Sequence, residues 1–400
     1  MLCATEITNW GALFYALTVA ASTIAASEGW HLTHLLGAFT IAQLVAGLAG
    51  LWVGRHIDAL GPRGVMTLGS LLGSVALVVV AISQSLLAFY AGWVLAGVAM
   101  SATLYAPAFA AITGWAGVDV RRRIRALTAV TLVAGLASTV FAPLTALLLD
   151  PLGWRGTYLV MAALVGLTAA AHWWGLRTPW PGTRGPAAEE PERHGVLGPQ
   201  PFRAVDFRLL VAAMALGAFC VHAVVVNLVP LLLENGLTLQ QAATVMAVGG
   251  IGQVTGRIFY GRLSTITGPA ARAWLALGVV ALTTLALAEI HTPGALVALV
   301  AFAGGTARGL FTLVQATAIS DRWGPRAFGA RNSVLSGWTM GVSALAPWAG
   351  SFIADRLGGY GFAFWCLAAG MGVAAACIRP TSRRRVELGP QESQRGPEVS

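Results

Sequence analysis

The same short pattern occurs twice in this chain, 207 residues apart and each time at the end of a long apolar run. Residues 53–63 read VGRHIDALGPR and residues 260–270 read YGRLSTITGPA. Gly54 and Arg55 thus fall on Gly261 and Arg262, and Gly61 and Pro62 fall on Gly268 and Pro269. At the same offset residues 95–104 (LAGVAMSATL) align with 302–311 (FAGGTARGLF), and with a drift of two Asp150 to Gly153 align with Asp355 to Gly358. A period near half the chain length means two homologous halves, and paired halves built of apolar helices are an architecture of membrane carriers.

The medium in which those halves fold follows from composition. Apolar residues make up 56% of the 400 residues and charged residues 10%, where a soluble domain carries about 25% charged residues. Runs long enough to cross about 30 Å of hydrocarbon occur near 7–26, 34–54, 65–84, 86–113, 126–149 and 157–176, and again near 207–233, 240–261, 271–289, 294–320, 331–353 and 360–379. The expected fold is an all-α integral membrane protein of twelve transmembrane helices in two pseudo-symmetric sets of six. The expected parts are a first half at 1–177, a linker at 178–206, a second half at 207–379 and a tail at 380–400. The linker begins TPWPGTRGPAAEEPER, polar and rich in Pro and Gly, which reads as flexible. The first helix is expected to be retained, because no basic segment and cleavage site precede it.

The net charge of +9 would suggest nucleic acid in a soluble protein. Here the 25 basic residues are all arginines gathered at the ends of apolar runs, so they report topology instead, and no nucleic-acid partner is expected. With both termini in the cytoplasm, 21 arginines lie in inner loops and tails, two (Arg155 and Arg356) lie outside, and Arg257 and Arg308 remain within helices. Excess arginine marks the cytoplasmic side, so a bacterial inner-membrane protein with both ends inside is expected. The four cysteines have no metal spacing, and neither a disulfide framework, a metal nor a cofactor is expected. His31 and His34 share a short outer loop without a third ligand. No HExxH, GxSxG or nucleotide-phosphate loop is present, which argues against an enzyme.

Residues 54–63, with Gly54, Arg55, Asp58, Gly61 and Arg63, resemble the signature loop between the second and third helices of the major facilitator superfamily. The resemblance extends over essentially the whole chain and implies alternating access between two six-helix halves. The chemistry of the loop fits a latch. Gly54 lets helices approach, and Asp58 can accept hydrogen bonds at a helix N-terminus and pair with arginine. The second copy keeps Gly261, Arg262 and Gly268 but has Thr265 where Asp58 stands, so its latch is expected to be weaker.

A narrower resemblance rests on residues 6–15 (EITNWGALFY) and 252–261 (GQVTGRIFYG). The first is similar to the Trp-Gly and aromatic opening of monocarboxylate and oxalate/formate-type carriers. The second is similar to a helix of monocarboxylate transporters with Asp or Asn, then Arg one turn on, at the places of Gln253 and Arg257. The i, i+4 spacing puts both side chains on one face, and the two parallel donors of a guanidinium match a carboxylate. Gln253 cannot carry a proton, which removes the acid from that position.

Arg308 lies mid-run in residues 301–315 (AFAGGTARGLFTLVQ). A charge at that depth costs at least about 2.5–3.5 kcal/mol and marks function by default. The structural alternative is an ion pair with Glu289, Glu6 or Asp321. Gly304, Gly305 and Gly309 around it let a helix or ligand come close. Trp10, Tyr15, Tyr105, His222, Asn227 and Gln315 complete the expected cavity lining; for the polar ones, an interhelical hydrogen bond is the competing role.

Together these readings predict a monomeric secondary transporter of a small organic anion, monocarboxylate-like, with a proton as co-substrate. Export of a drug-like compound is the alternative, although residues 134–146 (AGLASTVFAPLTA) lack a dense Gly-Pro pattern. Glu6, Glu289 and His222 are the groups nearest a membrane path that can carry the proton. Only His222 titrates near neutral pH when unperturbed, so His222 is the expected carrier.

Overall fold

A computed structural model describes residues 1–117, 119–181, 205–291, 294–323 and 328–378; within these every regular element is helical. Most of the expected linker and the whole expected tail from 380 onward lie outside the described residues. The first crossing is α1 (Leu2–Trp10), a π turn (Gly11–Tyr15) and α2 (Ala16–Glu28) in one run. Next come α3 (Leu32–Leu60), α4 (Pro62–Ile82), α5 (Leu86–Thr103), α6 (Tyr105–Ala116), α7 (Val120–Ala134) and α8 (Ala137–Gly175). Beyond the linker follow α9 (Val205–Glu234), α10 (Leu239–Ile266), α11 (Pro269–Glu289), α12 (Ala295–Thr317), α13 (Ser320–Trp323), α14 (Phe328–Ala344), α15 (Ala346–Leu357) and α16 (Tyr360–Ala376).

Among the described residues, eight helical stretches are long and apolar enough to cross a membrane. The longest of them, Val120–Gly175, turns back at Gly153, whose φ of 62° breaks the helical path. With α10, the α14–α15 pair and α16, the arrangement fits twelve crossings. Large apolar side chains such as Leu48, Leu87, Leu167, Leu282 and Phe362 remain exposed on the outside of the bundle, as a lipid-facing surface requires.

The repeated Gly-Pro pair has a local physical role. Gly61 adopts φ 83° between α3 and α4, a conformation that other residues adopt at a cost. Pro62 and Pro269 then occupy the first turn of α4 and α11, where the missing N–H is not needed. The close helix contacts repeat as well. A Cβ on Gly97 of α5 would lie 2.3 Å from the Ala42 carbonyl oxygen of α3, and one on Gly305 of α12 would lie 2.0 Å from that of Gly249 of α10. Ala42 and Gly249 are again 207 residues apart.

At the arginine-rich end each half is tied to itself. Arg63 donates to the Trp173 carbonyl (2.9 Å) and stacks on its ring at 4.0 Å, joining the start of α4 to the end of α8. In the second half Trp274 donates to the carbonyls of Ala375 and Ile378 at 3.0 and 3.1 Å, joining the start of α11 to the end of α16. Arg272 is buried there, pairs with Asp321 at 2.5 Å and donates to the carbonyls of Ser264 and Thr267. Asp321→Asn leaves that guanidinium without its counter-charge and is expected to destabilise the protein by about 2–3 kcal/mol, read as a lowered melting temperature.

The halves meet at the opposite end and at mid-depth. Thr33 of α3 bonds the Ser351 hydroxyl of α15 at 3.0 Å and also the Asp355 carboxylate, while His31 lies 3.4 Å from Asp355. Thr40 accepts from the Trp348 N–H at 3.2 Å, and Thr139 donates to the Ala247 carbonyl at 3.0 Å. Deepest toward the arginine-rich end is the bond from Arg257 to the Thr131 carbonyl at 2.6 Å.

Candidate functional site

Between the halves lies a cavity of about 750 Å³. From the first half its wall takes Trp10, Phe14, Tyr15 and Phe109; from the second it takes His222, Gln253, Arg308, Phe311, Thr312, Gln315, Asn332 and Ser336 among others. The π turn at Gly11–Tyr15 shapes the first-half wall. A widened turn of this kind re-aims side chains and recurs at functional positions. Gly11 lets α1 close on α8: a Cβ there would fall 2.0 Å from the Phe141 ring. Phe14 packs edge-on against Tyr15 at 5.0 Å and against His222 across the cavity at 5.4 Å.

Arg308 is the charged residue of that wall. Its Nη2 donates to Gln253 Oε1 at 3.0 Å, and its Nε has no partner among the described residues. None of the three acids that could form an ion pair with it does so. Asp321 pairs with Arg272, Glu289 accepts from the Trp365 indole at 2.8 Å, and Glu6 is enclosed in the first half. The guanidinium therefore offers free donors to the cavity, held by a neutral amide. Such an arrangement is chemically able to hold an anion by charge-assisted hydrogen bonds.

The position of Arg308 depends on how closely α10 and α12 approach. Gly252, Gly256 and Gly309 each sit where a Cβ would fall 2.1–2.2 Å from a carbonyl oxygen of the facing helix, namely those of Phe302, Thr306 and Gln253. Of the glycines expected to admit a helix, Gly305 and Gly309 admit α10 while Gly304 faces the Thr283 side chain of α11, and the contact with α10 brings Gln253 up to Arg308.

Three expected lining residues stand elsewhere. Arg257 shares a helix face with Gln253 by spacing, yet its guanidinium turns to the Thr131 carbonyl in the last turn of α7, where the helix ends before Gly135 and the carbonyl has a lone pair to give. Gln253 consequently serves Arg308. Tyr105 lies behind the wall, 4.9 Å from Trp10 and stacked on Phe109 at 5.2 Å. Asn227 is fully buried against Gly350, with its amide donating back to the Ala223 carbonyl of its own helix at 2.9 Å and its Oδ1 without a partner among the described residues, so it neither lines the cavity nor makes the interhelical hydrogen bond that competed with that role. Phe109, Phe311, Thr312, Asn332 and Ser336 enter the wall without having been singled out. Aromatic and small polar residues at helical spacing look alike whether they face a cavity, a neighbour or lipid.

The signature loop does not close a latch in this conformation. Asp58 and Arg55 are exposed and form no ion pair among the described residues, while Arg63 is taken up by Trp173. Gly61 instead packs against Trp180, whose indole donates to the Asp58 carbonyl at 3.4 Å. In the second copy Gly261 and Gly268 have open space around them, Arg262 is exposed, and the acid that holds Arg272 comes from α13, not from the Thr265 position.

A helical bundle of this layout around a mid-depth cavity defines a membrane transporter, not an enzyme. Residues 4–302 match the family model of the Major Facilitator Superfamily, and the chain belongs to that family. Monocarboxylate transporter 11 of Mus musculus is 30% identical over 51% of this chain and 44% of its own length, and that of Homo sapiens is 31% identical over 51% and 42%. The chain thus spans less than half the length of these curated relatives. Among solved structures, a bacterial homolog of the human lysosomal transporter Spinster, inward-facing and occupied, superposes with a TM-score of 0.67 at 16% identity, covering 94% of both chains. The nucleoside transporter NupG superposes with 0.71 at 15% identity (94% and 96% covered), and a D-xylose–proton symporter with 0.71 at 13% identity (95% and 96% covered). At these identities the likeness concerns the fold.

Proposed function

We propose that this transporter carries a small organic anion, a monocarboxylate with an apolar or aromatic body, in company with a proton. The observation that carries this reading is Arg308, a guanidinium in the middle of α12 with Gln253 beside it and no acid paired with it among the described residues. Trp10, Phe14, Tyr15 and Phe109 supply apolar surface opposite that charge, and the relatives named monocarboxylate transporter 11 support the substrate class. Gln315, together with His222, gives hydrogen-bonding capacity along the same wall. A thermal-shift panel of monocarboxylates, dicarboxylates, aromatic acids and cationic dyes on the purified protein tests the class. Stabilisation by monocarboxylates alone supports it, and stabilisation by cationic dyes alone rejects it.

In this reading the chain works as a monomer in a bacterial inner membrane with the arginine-rich end in the cytoplasm. The bonds between halves at the opposite end then make this the inward-open conformation. Arg55, Asp58 and Arg63 become the latch of the other, outward-open state. Asp58→Asn is accordingly expected to leave anion binding to the inward-open protein unchanged while cutting uptake into proteoliposomes severely. Full uptake at equal incorporation rejects the latch.

A further inference from the structure

Helix α1 buries an acid that the anion site does not use. Glu6 has no exposed surface, and neither of its carboxyl oxygens has a hydrogen-bond partner among the described residues. It lies one helical turn before Trp10, which belongs to the cavity wall. The Trp10 indole N–H stands beside the carboxyl without hydrogen-bond geometry and is itself unpartnered. An ionised carboxylate enclosed in this way is strongly disfavoured unless a cation joins it.

Among the described residues no cation pairs with Glu6. From α6 Tyr105 lies near the carboxyl, and Arg257 of α10 and Tyr15 lie near the same phenol; Arg257 gives its hydrogen bond to the Thr131 carbonyl and not to Glu6. From α8 the titratable group is His172, reached along a chain in which Asn9 Oδ1, Thr168 Oγ1, Ser70 Oγ and His172 Nδ1 follow one another at 3.2, 2.9 and 3.0 Å. From α5 comes the uncharged Thr103, whose carbonyl accepts from Asn9. Helix α7 buries Val130 and Ala134 and carries Arg121, Arg122 and Arg125 in exposed first turns. A metal ion requires several oxygen ligands, and no group of three His, Cys, Asp or Glu side chains exists among the described residues. A proton needs only one oxygen.

We propose that Glu6 is the proton-binding site of this transporter, linked to the anion cavity through Trp10 and Tyr105. The carboxylate takes a proton from cavity water when those two rings part, crosses the conformational change as a neutral carboxylic acid, and returns the proton to water on the other side. The O–H bond is the only bond made and broken. The inference rests on the proton-linked reading above and moves the proton away from His222. That residue faces Arg308, so a proton on it would set two positive charges against each other in one wall.

Two measurements on the full-length protein test it. Infrared difference spectra between acid and alkaline pH, in water and in heavy water, are expected to show the carbonyl band of a protonated buried carboxyl group. The band is lost in Glu6→Gln, retained but displaced in Glu6→Asp, and unchanged in His222→Gln. A wild type without the band, or Glu6→Gln with it, overturns the proposal whatever the substrate proves to be. In proteoliposomes under an inward-directed proton gradient, with radiolabelled pyruvate as probe, the wild type and Glu289→Gln, whose carboxylate accepts from the Trp365 indole away from the cavity, accumulate the label. Glu6→Gln still exchanges pyruvate but brings it only to equal concentrations. Accumulation by Glu6→Gln overturns the coupling. A Glu6 band in a protein that neither binds nor moves monocarboxylates supports the proton site and refutes the anion reading alone.

Discussion

Arg308→Gln is expected to abolish monocarboxylate binding while leaving the melting temperature of the ligand-free protein unchanged or slightly raised. Truncating one partner of a buried charge-assisted contact costs about 2–5 kcal/mol, which is between about 30-fold and a few thousand-fold in Kd. The stability half of the expectation comes from the absence of an acid partner among the described residues. Removing a guanidinium that pairs only with the Gln253 amide relieves a desolvated charge and orphans none. Arg308→Lys keeps the charge but loses the two parallel donors and is expected to lose most of the affinity as well. Retained binding together with a lowered melting temperature would show that Arg308 is structural.

The second large effect is expected from adding a single methyl group. Gly309→Ala places a Cβ 2.1 Å from the Gln253 carbonyl oxygen, a backbone atom of a packed helix that cannot swing aside. Overpacking of this kind costs about 1–3 kcal/mol and sometimes more. The same displacement carries Gln253 away from Arg308, so stability and anion affinity should fall together. Gly278→Ala on the exposed face of α11 is the control: nothing lies within 4 Å of its Cβ position, and Ala is favoured over Gly in a helix by roughly 0.8–1 kcal/mol. Equal melting temperatures for the two variants would reject the close contact between α10 and α12 as a determinant of the site.

The sequence by itself determined the fold to a large degree. Hydrocarbon cannot satisfy a bare peptide group, so long apolar runs admit helices, and the repeat at 207 residues pairs those helices into halves. It also marked Arg308, because a guanidinium in mid-run is costly and therefore conspicuous. Gln253 was legible as a cavity residue from its helix, although its partner was not.

Only the tertiary structure decided which polar side chains share a space. Spacing along α10 placed Gln253 and Arg257 on one face, but the glycine contact with α12 gave Gln253 to Arg308, while the end of α7 offered Arg257 a carbonyl. Glu6 and Asn227 look alike as polar residues in apolar helices; packing enclosed both away from the cavity and left both Glu6 oxygens unpartnered among the described residues, while the Asn227 amide turned back to a carbonyl of its own helix. Asp58 lies in a motif that reads as a latch, yet in the structure it is exposed and forms no ion pair among the described residues. Periodicity fixes the direction of a side chain relative to its own helix axis. Which neighbour lies in that direction depends on the rotation and closeness of a second helix, set by contacts hundreds of residues away in sequence.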